Sequence, residues 1–280
     1  MSSGPSTSWS AFDKYVGDPA ENYERFFVPA IGTPSARPLL EAAHLRSGER
    51  VLDVACGTGI AARLAAEAVG ESGAVTGVDL NPLMLAVARR VAAEGPSTHA
   101  AIEWRQANAE ELPLPDESFD AVMCSISFQF FGDKVAALRQ MRRVLAPGGR
   151  VVLSAPGPIP PVFEALDEVI GRHMGAEASM FVRAVFAVHD PAEVRDLLQR
   201  AGFGDVEAVH RPLRLRVEPP ADFLWQYVQS TPLSAAAAQL DDDARAALER
   251  EAVEGCLPFV DGDAMAMDLD LLVATATRAP

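Results

Sequence analysis

The spacing of apolar positions changes along this chain, and each change marks an element. Residues 51–54 are a continuous apolar run broken only by Asp53, and residues 119–125 form a second run that is apolar on both faces. Such runs predict strands buried on both sides, as in a parallel sheet. Between and after them the period lengthens to that of a helix at 59–69, 82–93 and 133–145. The last of these carries Val135, Leu138, Met141 and Leu145 on one stripe. Asn81-Pro82 and Asp190-Pro191 read as helix starts, a capping side chain followed by a residue of fixed φ. Further strands are predicted at 74–78, 102–105 and, after the turn Pro147-Gly148-Gly149, at 150–154. Strands alternating with helices predict an α/β fold: a parallel sheet with helices on both faces.

The flanks read differently. Residues 1–10 are rich in Ser, Gly and Pro and are expected to be mobile. A helix is predicted over 20–28, with Tyr23, Phe26 and Phe27, and a second restarts at Thr33-Pro34 and runs to about 45. Beyond residue 155 a proline-rich stretch leads to a helix at 162–174, a helix from Pro191 to about Gly202 and an alternating strand at 206–217. An Ala-rich helical stretch follows at 219–255, broken at Pro232, and then an apolar strand at 269–276. The predicted organisation is an N-terminal helical segment (1–45) and a core (46–280) interrupted by helical insertions at about 157–188 and 219–262.

Composition narrows the chemistry. The 280 residues are 49% hydrophobic, enough for a packed core, and 24 Lys and Arg against 39 Asp and Glu give a formal charge of −15. That balance argues against a nucleic-acid substrate, whose binding needs clustered cations, and against docking on anionic lipid. The three cysteines, Cys56, Cys124 and Cys256, show neither a disulfide framework nor metal-ligand spacing, so no metal is expected. Residues 1–8 lack the apolar core of a signal peptide, and the apolar runs are too short to span a bilayer; a cytoplasmic protein is expected.

The segment Val51-Leu-Asp-Val-Ala-Cys-Gly-Thr-Gly-Ile60 reads as strand, glycine turn and helix, and 75–79 answers it with a second strand ending on Asp79. Such a βαβ unit builds a nucleotide pocket at the carboxyl ends of parallel strands. Gly57-Thr-Gly59-Ile-Ala-Ala62 even satisfies the looser dinucleotide fingerprint. Asp53, however, stands at the mouth of the cradle, where a carboxylate opposes an anionic pyrophosphate but suits an ammonium or sulfonium. Asp79 is placed to accept hydrogen bonds from two ribose hydroxyls, which either ligand offers.

Together with 107–120 (ANAEELPLPDESFD) and 141–154 (MRRVLAPGGRVVLS), in that order, these segments resemble the class I S-adenosylmethionine-dependent methyltransferases. The resemblance is greatest to the small-molecule group that includes the ubiquinone/menaquinone C-methyltransferases. It covers residues 15–155 well and the last third in outline. It implies a Rossmann-like, seven-stranded, mostly parallel sheet with the last strand antiparallel, helical cap insertions, and an N-terminal segment that closes over the cofactor. By the same resemblance Asp53, Ala55, Gly57, Gly59 and Ser125 lie near the methionine part of S-adenosyl-L-methionine. Asp79 meets the ribose, Leu80 flanks the adenine, and Asn108 and Ala109 stand at the adenine edge. Tyr23 belongs to the closing segment. Two residues depart from the family pattern: Ala55 replaces a glycine, which is harmless if its φ is negative, and Asn108 replaces an Asp.

A general base is needed only if the acceptor loses a proton. His173, in the first insertion, and His189, before a helix start, are the candidates. Gln129 and Phe130 after the 119–125 strand, and Trp225 in the second insertion, are candidate acceptor contacts. The expected reaction is methyl transfer to an O, N or C atom of a small, partly apolar metabolite, with a homodimer left open. Two other readings stand beside it: a nicotinamide-dependent oxidoreductase, and a protein of the same fold that binds the cofactor without transferring its methyl group.

Overall fold

In the computed structural model, which describes residues 12–96 and 99–279, the chain begins with α1 (Phe12–Tyr15) and α2 (Pro19–Asn22). The segment 1–10 lies outside the described residues. A π-type helix at Tyr23–Gly32 follows and runs directly into α3 (Thr33–Ala43). The sequence predicts a break before Thr33; the structure has none. Pro29 lies inside this segment, and its ring cannot coexist with a regular i→i−4 ladder; a wider winding accommodates it.

The alternating part comprises β1 (Arg50–Val54), α4 (Ile60–Val69), β2 (Ala74–Asp79), α5 (Pro82–Ala92) and β3 (Ala101–Gln106). It continues with β4 (Phe119–Ser125), a 3₁₀ turn at Phe128–Phe130, α6 (Lys134–Val144) and β5 (Leu145–Ala155). Leu145 therefore opens a strand and does not close the α6 stripe. Then come α7 (Pro161–Met174), α8 (Ala176–Val185), α9 (Pro191–Arg200) and β6 (Gly204–Val217). The chain ends with α10 (Pro220–Gln229), α11 (Leu233–Ala237), α12 (Asp242–Cys256), a second 3₁₀ turn, β7 (Val260–Asp261) and β8 (Ala264–Thr277).

Seven strands follow the order β3-β2-β1-β4-β5-β8-β6, with the two-residue β7 paired to β8 alone. β1 is parallel to β2 and β4, and β4 to β5, while β8 runs antiparallel to β5 from Arg150↔Thr277 to Ala155↔Leu272. This is the Rossmann-like sheet with a reversed last strand. The connections from β1 leave in one direction, toward β2 and β3, and β4 lies on its other side. That reversal opens a crevice at the carboxyl ends of β1 and β4.

Two compact units are present. One comprises the chain up to Phe27, Pro160–Val182 and Arg216–Met267; the other comprises Val28–Ile159, Arg183–Leu215 and the chain from Asp268. The second unit contains the sheet core. Successive side chains of β1 take opposite faces. Val51 packs with Ala61, Ala62, Ala65, Ala66 and Val69 of α4 and with Leu39 of α3. Leu52 and Val54 face Leu138 and Met141 of α6 and Leu198 of α9. Small residues on α4 bring that helix close to the sheet, whereas larger ones on α6 fill a thicker layer. Each such fully buried Leu or Met contributes about 1.5–3 kcal/mol. In the first unit, Phe163 meets Tyr227 edge-on at 5.2 Å, and Phe223 stacks on Tyr227 at 6.1 Å.

Candidate cofactor site

Asp53 shares the β1 face of Val51, so alternation drives a carboxylate into the apolar layer beneath α4. It pairs in register with Gly77 of β2 and Met123 of β4. It is 0% exposed, and neither carboxylate oxygen has a hydrogen-bond partner. The Ala62 N–H in the first turn of α4 favours its charged form without closing a bond of good geometry. Burial dominates, and the nearby Asp79 charge adds to it, so the Asp53 carboxyl is pushed up to about 8.

The turn after β1 places Ala55, Gly57 and Gly59 in the left-handed region, at φ 55°, 56° and 87°. The negative φ that would make an alanine at position 55 harmless is not found. This alanine holds a conformation that costs an L-residue roughly 1–2 kcal/mol, and its carbonyl lies 3.3 Å from the Ser127 hydroxyl. Gly59 caps α4 without any side-chain hydrogen bond, so the cap residue itself occupies none of the first-turn amides.

Asp79, at the carboxyl end of β2, ties this turn down. Its Oδ2 accepts from the Gly57 N–H and its Oδ1 from the Asn81 N–H, both at 2.8 Å. Asn81, not Asp79, caps α5, accepting from the Leu83 N–H at 2.9 Å. Burial raises the Asp79 carboxyl, with the Asn81 and Gly57 N–H groups opposing that rise. Leu80 and Leu83 beside it are exposed apolar side chains, a surface suited to a base. Asn108 turns inward to its own loop, Oδ1 accepting from the Glu110 N–H at 3.0 Å; its second lone pair remains for an adenine amino group. Ala109 is buried beside it.

β4 ends in another strained residue, Ile126 at φ 42°. A β-branched residue in this region is an outlier that must be held by its surroundings. Its N–H donates to the Ser154 carbonyl at 2.9 Å, and its carbonyl accepts from Gln129 Nε2 at 2.9 Å. Gln129 is buried, and its Oε1 has no partner. Phe130 is 49% exposed. Ser125 is half-buried, and its carbonyl accepts from Ser127 Oγ at 3.0 Å.

The remaining candidates divide. His189 is exposed, and its Nδ1–H donates to the Phe186 carbonyl at 2.9 Å, which leaves Nε2 as the lone-pair nitrogen. His173, in the first unit, lies 3.1 Å from Glu251, which Arg172 also holds. Trp225 is 0% exposed in the packed interior of the first unit, its Nε1–H donating to Glu249 at 2.6 Å and its ring meeting Phe12 at 4.9 Å. That side chain has no free surface, so the geometry gives no support to the acceptor contact expected of it. Tyr23 stacks on Phe27 at 4.5 Å.

Two contributors escaped sequence reasoning. Ser127 bridges the ends of β1 and β4 through its hydroxyl. Trp104 of β3 lies so close beneath the turn that a Cβ at Gly59 would come within 2.3 Å of its ring, and one at Gly77 within 2.5 Å. The available signal was a glycine inside β2 opposite a tryptophan on the neighbouring strand.

The fold and cradle define a Rossmann-like nucleotide-binding enzyme of the α/β class. The methyltransferase domain family matches residues 51–149. Nocamycin O-methyltransferase of Saccharothrix syringae is 32% identical over 86% of this chain and 88% of its own length. The ubiquinone/menaquinone biosynthesis C-methyltransferase of Proteus mirabilis is 34% identical over 61% of this chain and 72% of its own. Among solved structures, Haemonchus contortus phosphoethanolamine N-methyltransferase 2 in complex with S-adenosyl-L-methionine superposes with a TM-score of 0.61 at 20% identity, covering 98% of this chain and 61% of that one. The chain belongs to the class I S-adenosylmethionine-dependent methyltransferases. It is an enzyme of methyl transfer to small molecules, which sets the oxidoreductase and non-methylating readings aside.

Proposed function

We propose that the cradle holds S-adenosyl-L-methionine with Asp79 on the ribose hydroxyls, Leu80 against the adenine, and Asn108 and Ala109 at the adenine edge. Ala55, Gly57, Gly59, Asp53 and Ser125 surround the amino-acid end. The observation that carries this reading is the Asp79 carboxylate fixed by the Gly57 and Asn81 N–H groups at the end of β2. The fit extends to charge. A buried, unpartnered Asp53 suits a cationic group, and the open first turn of α4 suits a carboxylate; an amino-acid end brings both.

The methyl acceptor is proposed to be a small, partly apolar metabolite methylated on oxygen. A relative that runs along most of this chain is an O-methyltransferase, whereas a C-methyltransferase match is shorter. Gln129 and Phe130, after β4, are the proposed acceptor contacts. A sulfonium donor supplies an electrophilic methyl group and leaves as a neutral thioether, so no oxyanion hole is required. The protein's part is alignment and exclusion of water, and well-oriented pairs gain on the order of 7–11 kcal/mol. For a hydroxyl acceptor His189 is the proposed base, because its Nδ1–H is committed to a carbonyl and Nε2 keeps the lone pair. No nucleic acid is proposed as partner; Ala-rich segments such as 235–238 leave a homodimer to be decided by light scattering.

The test is calorimetric titration with S-adenosyl-L-methionine and, separately, NADH, followed by a screen of phenols, quinols and amines for methyl acceptance. Binding of the first alone, with a methylated phenol, supports the reading. A well-folded, ligand-free protein that binds neither overturns it.

A further inference from the structure

The turn after β1 holds three left-handed residues in five, Ala55, Gly57 and Gly59, and a backbone wound in this way must be fixed by its neighbours. On the β2 side the Cys56 N–H donates to the Val78 carbonyl at 3.0 Å and the Gly57 N–H to Asp79 Oδ2 at 2.8 Å. On the β4 side the register runs Val51↔Ala121, Leu52↔Val122 and Asp53↔Met123, and the pairing ends there. Continued by two residues it would set Ala55 opposite Ser125. In place of a ladder bond, the Ser127 hydroxyl joins those two residues. Its Oγ lies 3.0 Å from the Ser125 carbonyl and 3.3 Å from the Ala55 carbonyl, so one proton is shared between the carboxyl ends of β4 and β1. Ser127 also stands at the N-cap of the Phe128–Phe130 turn, where a serine ordinarily accepts from a first-turn amide, yet it makes no capping bond. The hydroxyl is committed to the two carbonyls instead. Ile126 beside it, left-handed at φ 42°, is tied to β5 through the Ser154 carbonyl and does not supply the link to β1.

Resting on the cofactor reading above, we propose that Ser127 is a positioning residue: its hydroxyl fastens the glycine turn to the end of β4 and so sets the cradle for the amino-acid end of the cofactor. The ribose side is held separately, by Asp79 at the end of β2. Loss of the hydroxyl frees the Ala55 carbonyl, and the turn keeps its ties to β2 but not this one to β4. An amino-acid end then meets a turn that must be ordered on binding, which costs affinity. A nucleoside without that end does not draw on the turn and is held as before. β4 leads on to Gln129 and Phe130, the proposed acceptor contacts, so the same hydroxyl joins the donor side of the second unit to its acceptor side.

The intact protein, Ser127→Ala and Ser127→Thr are titrated with S-adenosylhomocysteine and with 5′-methylthioadenosine, which keeps the nucleoside and lacks the amino-acid end. In Ser127→Ala the Kd for S-adenosylhomocysteine is expected to rise roughly 3- to 10-fold, the worth of one ordinary hydrogen bond. The Kd for 5′-methylthioadenosine is expected to hold within about a factor of two. Ser127→Thr keeps the hydroxyl at a φ of −128°, open to a β-branched residue, and is expected to bind both ligands as the parent does. Amide exchange across residues 55–59 should quicken in Ser127→Ala while that of β1 is unchanged. An unchanged Kd for S-adenosylhomocysteine in Ser127→Ala, an equal loss for the two ligands, or a threonine variant as weak as the alanine overturns the inference while the cofactor reading stands. A Ser127→Ala protein that fails to fold also overturns it, since a hydroxyl that positions the turn is not needed by the sheet. Failure of S-adenosylhomocysteine to bind the folded, ligand-free parent overturns both.

Discussion

Asp79 and Gly57 are 22 positions apart and joined by one hydrogen bond, Oδ2 accepting the glycine N–H at 2.8 Å. The carboxylate proposed to hold the ribose is therefore also the clamp on the glycine turn after β1. Asp79→Ala removes both functions. Charge-assisted hydrogen bonds are worth about 1.5–3 kcal/mol, so its S-adenosyl-L-methionine Kd is expected to rise by roughly 10- to 150-fold. Titration calorimetry checks this, and a Kd within a factor of two of wild type would remove Asp79 from the site.

Trp104 imposes a glycine on both of its neighbours. Gly77→Ala sets a methyl group 2.5 Å from the indole, and overpacking of this kind costs about 1–3 kcal/mol. The melting temperature should fall by several degrees, at roughly 2–4 °C per kcal/mol for a large domain. Adding Trp104→Phe to Gly77→Ala should recover part of the loss, because the smaller ring leaves room. Scanning calorimetry of the two single variants and the pair reads the coupling. Additive losses would show that the indole does not set this packing.

Burial of Asp53 makes stability depend on pH in an unusual direction. Its carboxyl is pushed up to about 8 in the folded protein against 3.8 for an ordinary Asp. Between those values the folded state binds the extra proton, so stability is greatest below the lower value and falls as pH rises toward the upper one, by up to about 1.4 kcal/mol per pH unit. Asp53→Asn removes this dependence. It should melt higher than wild type at pH 9 and show a much smaller difference at pH 5. A constant offset between the two proteins across that range would refute the assignment.

Arg150 joins three parts of the second unit. It pairs with Glu49 at 2.7 Å, bonds the His44 carbonyl at 3.1 Å, and donates to the carbonyl of Ala43. Burial raises the Glu49 carboxyl, but its bonds with Arg150 and Arg46 outweigh that and lower it overall. Its contribution is therefore complete above the ordinary Glu value of 4.5 and is lost as pH falls through the lowered folded value. Arg150→Ala removes the partner of a half-buried carboxylate and should cost about 1.5–3 kcal/mol at pH 7. The cost should shrink at pH 3, as followed by urea unfolding.

Ala55 holds a left-handed conformation that a glycine adopts freely. Ala55→Gly should relieve about 1 kcal/mol of strain, partly offset by the freer unfolded chain. A small rise or no change in melting temperature is expected; a fall of several degrees would show that the Ala55 side chain packs in a way the backbone angle does not reveal.

The strands and helices between 50 and 155 were legible because each carries its own signal. Continuous apolar runs, helical stripes and capping pairs such as Asn81-Pro82 act over a few residues. The glycine turn and Asp79 were legible for the same reason, as was the family resemblance built on them. Distance defeated the rest. Trp225 reads as an aromatic free to meet an acceptor, but its indole N–H is committed to Glu249, 24 residues away. The break predicted before Thr33 vanished because Pro29 altered the winding ahead of it.

The α/β alternation, the cradle turn and the acids that flank it follow from local periodicity and turn chemistry, which need no distant partner. That Asp53 lies unpartnered, that Gln129 hangs from a strained Ile126, and that Trp104 lies under Gly59 emerge once the chain has folded. Those states depend on which strand faces lie against which helix, and on which backbone groups remain unpaired once the sheet has formed. Sheet order and helix packing fix both, and no short window of the chain contains them.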